Sequence, residues 1–198
     1  MLPTAVRVLS VNVGAAAPLH VPGGRRVLSG IRKHPVPGPV AAAPLGLAGD
    51  EQADLSVHGG LHKAVYAYPS EHLPYWRQAR AAAGLDGAPL PPGFMGENLT
   101  LAGLLESQVW VGDELHAQDS TCVLRVTAPR QPCYKLTAVM GLRDAAQRMV
   151  RQAICGFYLA VDVPGPLCAG QTLHLRPGPR RLGMAEAIAA QWAKHRHG

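Results

Sequence analysis

Cysteine is sparse in this chain. The 198 residues hold four, Cys122, Cys133, Cys155 and Cys168, and no two of them form a C-x-x-C pair. A zinc ribbon, a thioredoxin-type motif and an iron–sulfur cluster are therefore unsupported. A chain of this size with few cysteines and no secretory leader is expected in the cytoplasm, with its thiols reduced. No signal peptide is read, because Met1 to Val21 lacks an early basic region and a continuous apolar block. No stretch is long and apolar enough to span a membrane. There is no G-x-G-x-x-G in a strand–helix setting, no zinc-finger or RNP pattern and no basic region with heptads. Direct nucleic-acid binding is not expected. Charged residues are few as well, at 16% against 47% hydrophobic, which suits one packed domain and argues against global disorder.

What is present points to a β-rich fold. Twenty-two glycines and 18 prolines imply many turns and short elements. The net charge of +6 favours anionic ligands, phosphorylated cofactors among them. Val6, Val8, Val11 and Val13 alternate with a slip near Leu9, which predicts a first strand carrying a bulge. Pro22-Gly23-Gly24 predicts a turn into a second strand from Arg25 to His34, and Val40 to Leu45 a short third. Lys63 to Tyr68 reads as a strand. Ser70 is a suitable N-cap for a helix from Glu71 to about Ala83, stopped by Gly84. Val109 to Leu115 reads as strand, turn, strand. Thr137 to Gln152 predicts one helix, Gly156 to Val161 a buried strand, Thr172 to Leu175 a shorter one and Met184 to Lys194 a last helix. Residues 1–178 are expected to form a barrel domain and 179–198 a helical tail.

The chain is organised around Ala128-Pro129-Arg130-Gln131-Pro132-Cys133-Tyr134-Lys135-Leu136. It follows a strand over Thr121 to Thr127, and its two prolines end the pairing. Cys133 is left in a rigid turn, three residues after Arg130 and two before Lys135. Nearby cations favour the thiolate, which binds soft metals and attacks electrophiles. A small buried hydrophobe is the other reading of such a cysteine. Upstream, a polar loop runs from Gly46 to His58-Gly59-Gly60, followed by His62 and Lys63. The two histidines would pair on zinc only on a helix, which the glycines oppose. Gly96-Glu97-Asn98-Leu99-Thr100 either offers polar groups to a heterocycle or organises a turn, and the residues by themselves favour the turn.

Five segments then occur in one order. They are Gly49-Asp50-Glu51-Gln52-Ala53-Asp54, Val57-His58-Gly59-Gly60, Lys63-Ala64-Val65-Tyr66-Ala67-Tyr68-Pro69, Gly96 to Thr100 and Pro129 to Leu136. Together they resemble MOSC-domain proteins of the YiiM-like branch, over most of the chain up to Leu175. The resemblance implies a mainly β (α+β) fold, a β-barrel with peripheral helices. It implies binding of the molybdenum cofactor, a phosphorylated pterin (molybdopterin), with Cys133 as the metal's ligand. Arg130, Lys135 and Lys63 would meet the phosphate or the thiolate. Asn98 and Glu97 would face the pterin edge, and Gly59 and Gly60 would let the backbone approach.

Relatives of this kind reduce N-hydroxylated compounds such as hydroxylaminopurine to amines. The implied activity is therefore detoxifying, independent of pyridoxal phosphate, and uses a small N-hydroxylated substrate, with His58 or Glu97 as proton donor. Electrons would come from an external flavoprotein or ferredoxin-like donor. A non-redox carrier of the cofactor or of persulfide sulfur is the alternative. A homodimer is compatible with the sequence. Two departures stand out. Leu61-His62 replaces the Pro-Asp-like pair usual in the branch, and the C-terminal helical region is shortened.

Overall fold

Strand formation follows the alternation of branched apolar residues with polar ones. The computed structural model describes residues 4–53 and 59–195. In chain order it has β1 (Thr4–Val13), β2 (Ala17–Val21), β3 (Arg25–Ser29), β4 (His34–Pro35), β5 (Val40–Ala43) and β6 (Gly46–Leu47). A 3₁₀ turn at Leu61–Lys63 leads to β7 (Val65–Pro69), α1 (Leu73–Ala82), β8 (Leu99–Ala102), β9 (Glu114–Ala117) and β10 (Val123–Pro129). Then come α2 (Tyr134–Met140), α3 (Ala145–Arg151), β11 (Phe157–Val163), β12 (Gly165–Leu167), β13 (Thr172–Arg176) and α4 (Met184–His195).

Seven strands close into a barrel in the order β13-β9-β10-β11-β7-β8-β1, with β1 pairing back onto β13. All neighbours in the ring run antiparallel except β7 and β8. Closure leaves the ring without an unpaired edge. Two small sheets lie outside it, the β2–β3 hairpin and β12-β5-β6. The inward residues are those the alternation marks. Val6, Val8 and Val11 of β1, Leu124 and Val126 of β10, and Leu173 and Leu175 of β13 are buried. Against β8 the register of β1 shifts between Val8 and Ser10, and Leu9 is thrown out to 44% exposure. This is the bulge expected there. Helix α4 lies against β10 and α3, with Met184 and Ile188 buried.

Five expectations differ. The single helix over Thr137 to Gln152 is two, because Gly141 takes a left-handed conformation (φ 73°) as the C-cap of α2. Glycine adopts that conformation without steric cost, and it ends the helix. The second strand stops at Ser29 rather than His34, and only His34–Pro35 pairs again, with β1. The stretch Leu61–Lys63 turns as 3₁₀ before β7 starts at Val65. Ser70 begins a 3₁₀ turn and caps no helix through its side chain, so α1 starts at Leu73. Pro129 closes β10 rather than falling after it, still opposite Phe157, a strand-end place that needs no proline donor.

Candidate active-site cleft

Loops beside the barrel, together with side chains from β7 and β11, line an open cleft. One wall is Ser29, Gly30, Ile31 and Lys33, just past the β2–β3 hairpin. A second is Asp50 to Ala53 with Gly59. The barrel supplies Tyr66 from β7, Tyr158 from β11 and the flank of β8 at Gly96 and Asn98. Arg130, Cys133 and Lys135 complete it.

Cys133 is the residue before α2, with an extended backbone (φ −130°, ψ 176°), and is half-buried. Pro132 restricts the chain before it, and the first turn of α2 fixes it from the other side. The other thiols differ. Burial pushes the Cys122 thiol up to about 11. It pushes Cys155 up to about 12, aided by the neighbouring Glu106 charge. Neither lines the cleft.

Arg130 is a buried cation whose partners are the Met149 thioether, the Tyr66 ring and the Tyr158 hydroxyl. Its side chain is only 5% exposed as a residue. Its Nη1 lies 3.6 Å from Met149 Sδ, and its guanidinium carbon 5.0 Å from the centre of the Tyr66 ring. Among the described residues it pairs with no carboxylate. Burial works against its charge, but the nearby Tyr66, Tyr158, Cys133 and Cys155 outweigh that and hold its pKa above the ordinary value. Burial raises the pKa of Tyr158, offset in part by Arg130, so this phenol keeps its proton at neutral pH. Tyr66 is raised well above its usual range for the same reason, and its hydroxyl donates to the Cys155 carbonyl at 2.8 Å.

The opposite wall is internally satisfied. Asp50 Oδ1 accepts from the Lys33 ammonium and from Gly14 N–H (2.9 Å), while Oδ2 accepts from Asn98 Nδ2 at 2.9 Å. Asn98 also donates to the Asn12 carbonyl (3.2 Å) and accepts from Tyr66 N–H (3.0 Å). It therefore lines the cleft as a brace joining β1, β7 and Asp50. Gly96, at φ 81°, lets the β8 turn lie against Ile31, where an added Cβ would meet Ile31 Cγ1 at 2.8 Å.

Of the residues singled out by sequence, Cys133, Arg130, Lys135, Gly59 and Asn98 line the cleft together. Lys135 Nζ sits 3.4 Å from the Leu28 carbonyl. Lys63 Nζ lies 5.7 Å from the centre of the Tyr158 ring, behind the wall. Gly60 donates to Gln52 Oε1 at 3.3 Å and is not a wall residue. His58 lies outside the described residues.

Glu97, expected at a pterin edge or as a proton donor, is turned inward and fully buried. Its carboxylate accepts from Gly93 N–H (2.7 Å), Met95 N–H (3.0 Å) and Thr100 Oγ1 (2.7 Å). It organises the turn before β8. Lys33, Asp50, Tyr66 and Tyr158 were missed as site residues. Asp50 and Tyr66 stood inside the matched motifs, and only the other side chains around them mark them as wall residues. Lys33 and Tyr158 gave no local signal, since tertiary folding alone brings them here.

Among the described residues no group of three His, Cys, Asp or Glu side chains could hold a metal ion unaided, and no helix is long and apolar enough to cross a membrane.

Comparison with known proteins agrees with this geometry. The MOSC domain family matches residues 54–174, more than half of the chain. The uncharacterized protein YflK of Bacillus subtilis is 37% identical over 168 residues, covering 85% of this chain and 72% of that one. Protein YiiM of Escherichia coli is 38% identical over 165 residues, with coverage of 83% and 71%. A Gibberella moniliformis protein named Reductase is 34% identical over 79% of this chain, which spans 28% of it. The crystal structure of YiiM from Geobacillus stearothermophilus superposes with a TM-score of 0.75 at 33% identity, covering 96% of this chain and 85% of that one. That of Escherichia coli YiiM gives 0.70 at 28% identity, over 98% and 78%. The closed seven-stranded barrel, the ordered motifs and these relatives agree, and the chain belongs to the MOSC-domain family, in its YiiM-like branch.

Proposed function

We propose that the cleft binds the molybdenum cofactor and that the protein reduces N-hydroxylated compounds, hydroxylaminopurine-like bases and amidoximes, to amines. The observation that carries this reading is the pairing, in one cleft, of the half-buried thiol of Cys133 with the buried guanidinium of Arg130, which has no carboxylate partner among the described residues. The donor set fits the cofactor. A thiolate suits a soft, sulfur-bound metal, and a buried cation short of a counter-charge suits a phosphorylated, anionic ligand.

Each wall then has a task. Cys133 holds the metal, and its place between Pro132 and the first turn of α2 fixes the direction of the sulfur. Arg130 offsets anionic charge from a site that water reaches poorly, where such an interaction is strong. Lys135 adds a second, more exposed cation. Tyr158 enters the cleft as a protonated hydroxyl. The Asp50–Lys33–Asn98 brace keeps the opposite wall fixed without spending a free charge on the ligand. When bound, the cofactor supplies a two-electron redox centre for cleavage of the N–O bond. Overall, R–NHOH takes up two electrons and two protons and gives R–NH₂ and water, and the electrons come from an external donor.

The test is reduction of hydroxylaminopurine and of benzamidoxime by protein made in a host that synthesises the cofactor, with dithionite-reduced methyl viologen as donor. Wild-type turnover is expected, and Cys133→Ala is expected to lose at least about 100-fold, since even the outer-shell partners of a metal's ligands are worth about 10- to 100-fold. No turnover by the wild type, with a persulfide of about 32 Da found on Cys133, would replace this reading with that of a sulfur carrier.

A further inference from the structure

The cations of this chain are spread along it, but the carboxylates are not. Residues 1–49 contain Arg7, Arg25, Arg26, Arg32 and Lys33 and not one Asp or Glu, so all 13 acidic residues come later. The fold puts four of these five on the β2–β3 hairpin and the loop that follows it, which supply one wall of the cleft. The β2–β3 hairpin ends at Ser29, which is itself a wall residue, and Arg32 lies between the wall residues Ile31 and Lys33. Lys33 is neutralised by Asp50. Arg25, Arg26 and Arg32 are exposed and form no ion pair among the described residues.

This basic surface is continuous with the reactive segment. The Arg25 guanidinium stacks 5.8 Å from the centre of the Tyr134 ring, the residue next to Cys133, and Lys135 reaches the hairpin at the Leu28 carbonyl. Tyr134 (46%) and Leu28 (56%) are among the most exposed large hydrophobic residues. On the outer face of the hairpin, His20 stands opposite Arg26 and Pro18 opposite Leu28. A rim of exposed arginines around exposed Tyr134 and Leu28 is the composition of a protein-docking surface, and its charge selects an acidic partner.

We propose that this rim, Arg25, Arg26, Leu28, Arg32 and Tyr134, docks the acidic electron-carrier protein that supplies the reaction. The inference rests on the reductase reading and places its donor. A donor must bring its redox group to the cleft, and this basic surface borders it. With flavodoxin hydroquinone as the probe, R–NHOH + 2 flavodoxin (hydroquinone) + 2 H⁺ gives R–NH₂ + H₂O + 2 flavodoxin (semiquinone). Each carrier loses one electron.

The experiment compares cofactor-loaded wild type with Arg25→Glu/Arg26→Glu/Arg32→Glu and with Arg143→Glu/Arg151→Glu/Arg176→Glu. The second variant makes the same change in net charge at exposed arginines outside the rim. Each is assayed with reduced acidic flavodoxin and with reduced methyl viologen. At about 20 mM salt the rim variant is expected to lose about tenfold in kcat/KM for flavodoxin, to lose most of the salt dependence seen up to about 300 mM, and to keep its methyl viologen rate. The control variant is expected to stay within about threefold of wild type.

Equal losses in both variants, or no loss in the rim variant, overturn the docking site. So does a rim variant that keeps its flavodoxin kinetics while losing affinity for single-stranded DNA, which would assign the patch to nucleic acid. If the wild type reduces nothing with methyl viologen, the reductase reading itself has failed. Turnover with methyl viologen but salt-independent flavodoxin kinetics removes the docking site alone.

Discussion

Two buried ionisable side chains, Glu97 and Arg130, behave in opposite ways. Glu97 is fully buried and has three donors on its carboxylate. Arg130 is nearly as buried and has a thioether, the Tyr66 ring, the Tyr158 hydroxyl and no carboxylate among the described residues. A charge whose partners are complete is a structural staple. A charge left short in a cleft wall is one that an anion from outside completes. The difference separates scaffold from site more sharply than residue type does, since either residue could have been picked as functional.

The comparison is broken most directly by deleting each charge. Glu97→Ala leaves Gly93 N–H, Met95 N–H and Thr100 without their acceptor and is expected to cost about 3–5 kcal/mol, the scale for breaking a buried charged network. Denaturant titration checks this. Arg130→Met is expected to cost only about 1 kcal/mol in cofactor-free protein, because an apolar chain of similar length keeps the packing against Met149 and Tyr66 and gives up the ring and phenol contacts rather than a carboxylate pair. A loss for Arg130→Met as large as that for Glu97→Ala would mean that both are scaffold.

A pH series sharpens the same contrast. Burial raises the pKa of Glu97 above the usual carboxylate range, with the donors of Thr100, Gly93 and Met95 pulling it back. Because the folded pKa exceeds the unfolded one, its contribution is full below the ordinary carboxylate value and is lost as pH rises through the folded pKa. The Tm of wild type is therefore expected to fall across that window relative to Glu97→Gln. A parallel course for the two proteins contradicts the assignment.

Smaller effects follow away from the two charges. Gly141→Ala forces a Cβ at φ 73° and to 3.1 Å from Leu85 Cδ1, with an expected loss of about 1–2 kcal/mol in denaturant titration. Thiol labelling at neutral pH is expected to modify Cys133 and Cys168 before the buried Cys122 and Cys155, whose pKa values lie near 11 and 12. Peptide mapping by mass spectrometry reads the order.

Much of the barrel was legible because its signals are local. The alternation of β1 gave both the strand and its slip, and Pro132 with the strand before it placed Cys133 at a turn. The break at Gly141 was missed because the apolar positions on both sides of it share one helical period, which hides a left-handed residue between them. The site was half legible. The residues of the Gly96–Thr100 segment favoured a turn, and Glu97 does build one; the family resemblance drew it toward the ligand. Whether a carboxylate faces a cleft or its own turn is decided by donors on Gly93 and Met95, whose N–H groups carry no side-chain signature. Tyr158 and Lys33 reach the cleft from strands and loops far apart in the chain, so only the closed barrel shows them as neighbours.

The central claim is that Cys133 and Arg130 define a molybdenum-cofactor site. Molybdenum content by elemental mass spectrometry tests it most directly, on wild type and Cys133→Ala purified from a host that makes the cofactor. The account predicts near-stoichiometric molybdenum in the wild type and its loss in the variant. Molybdenum in neither protein, or the same amount in both, contradicts it.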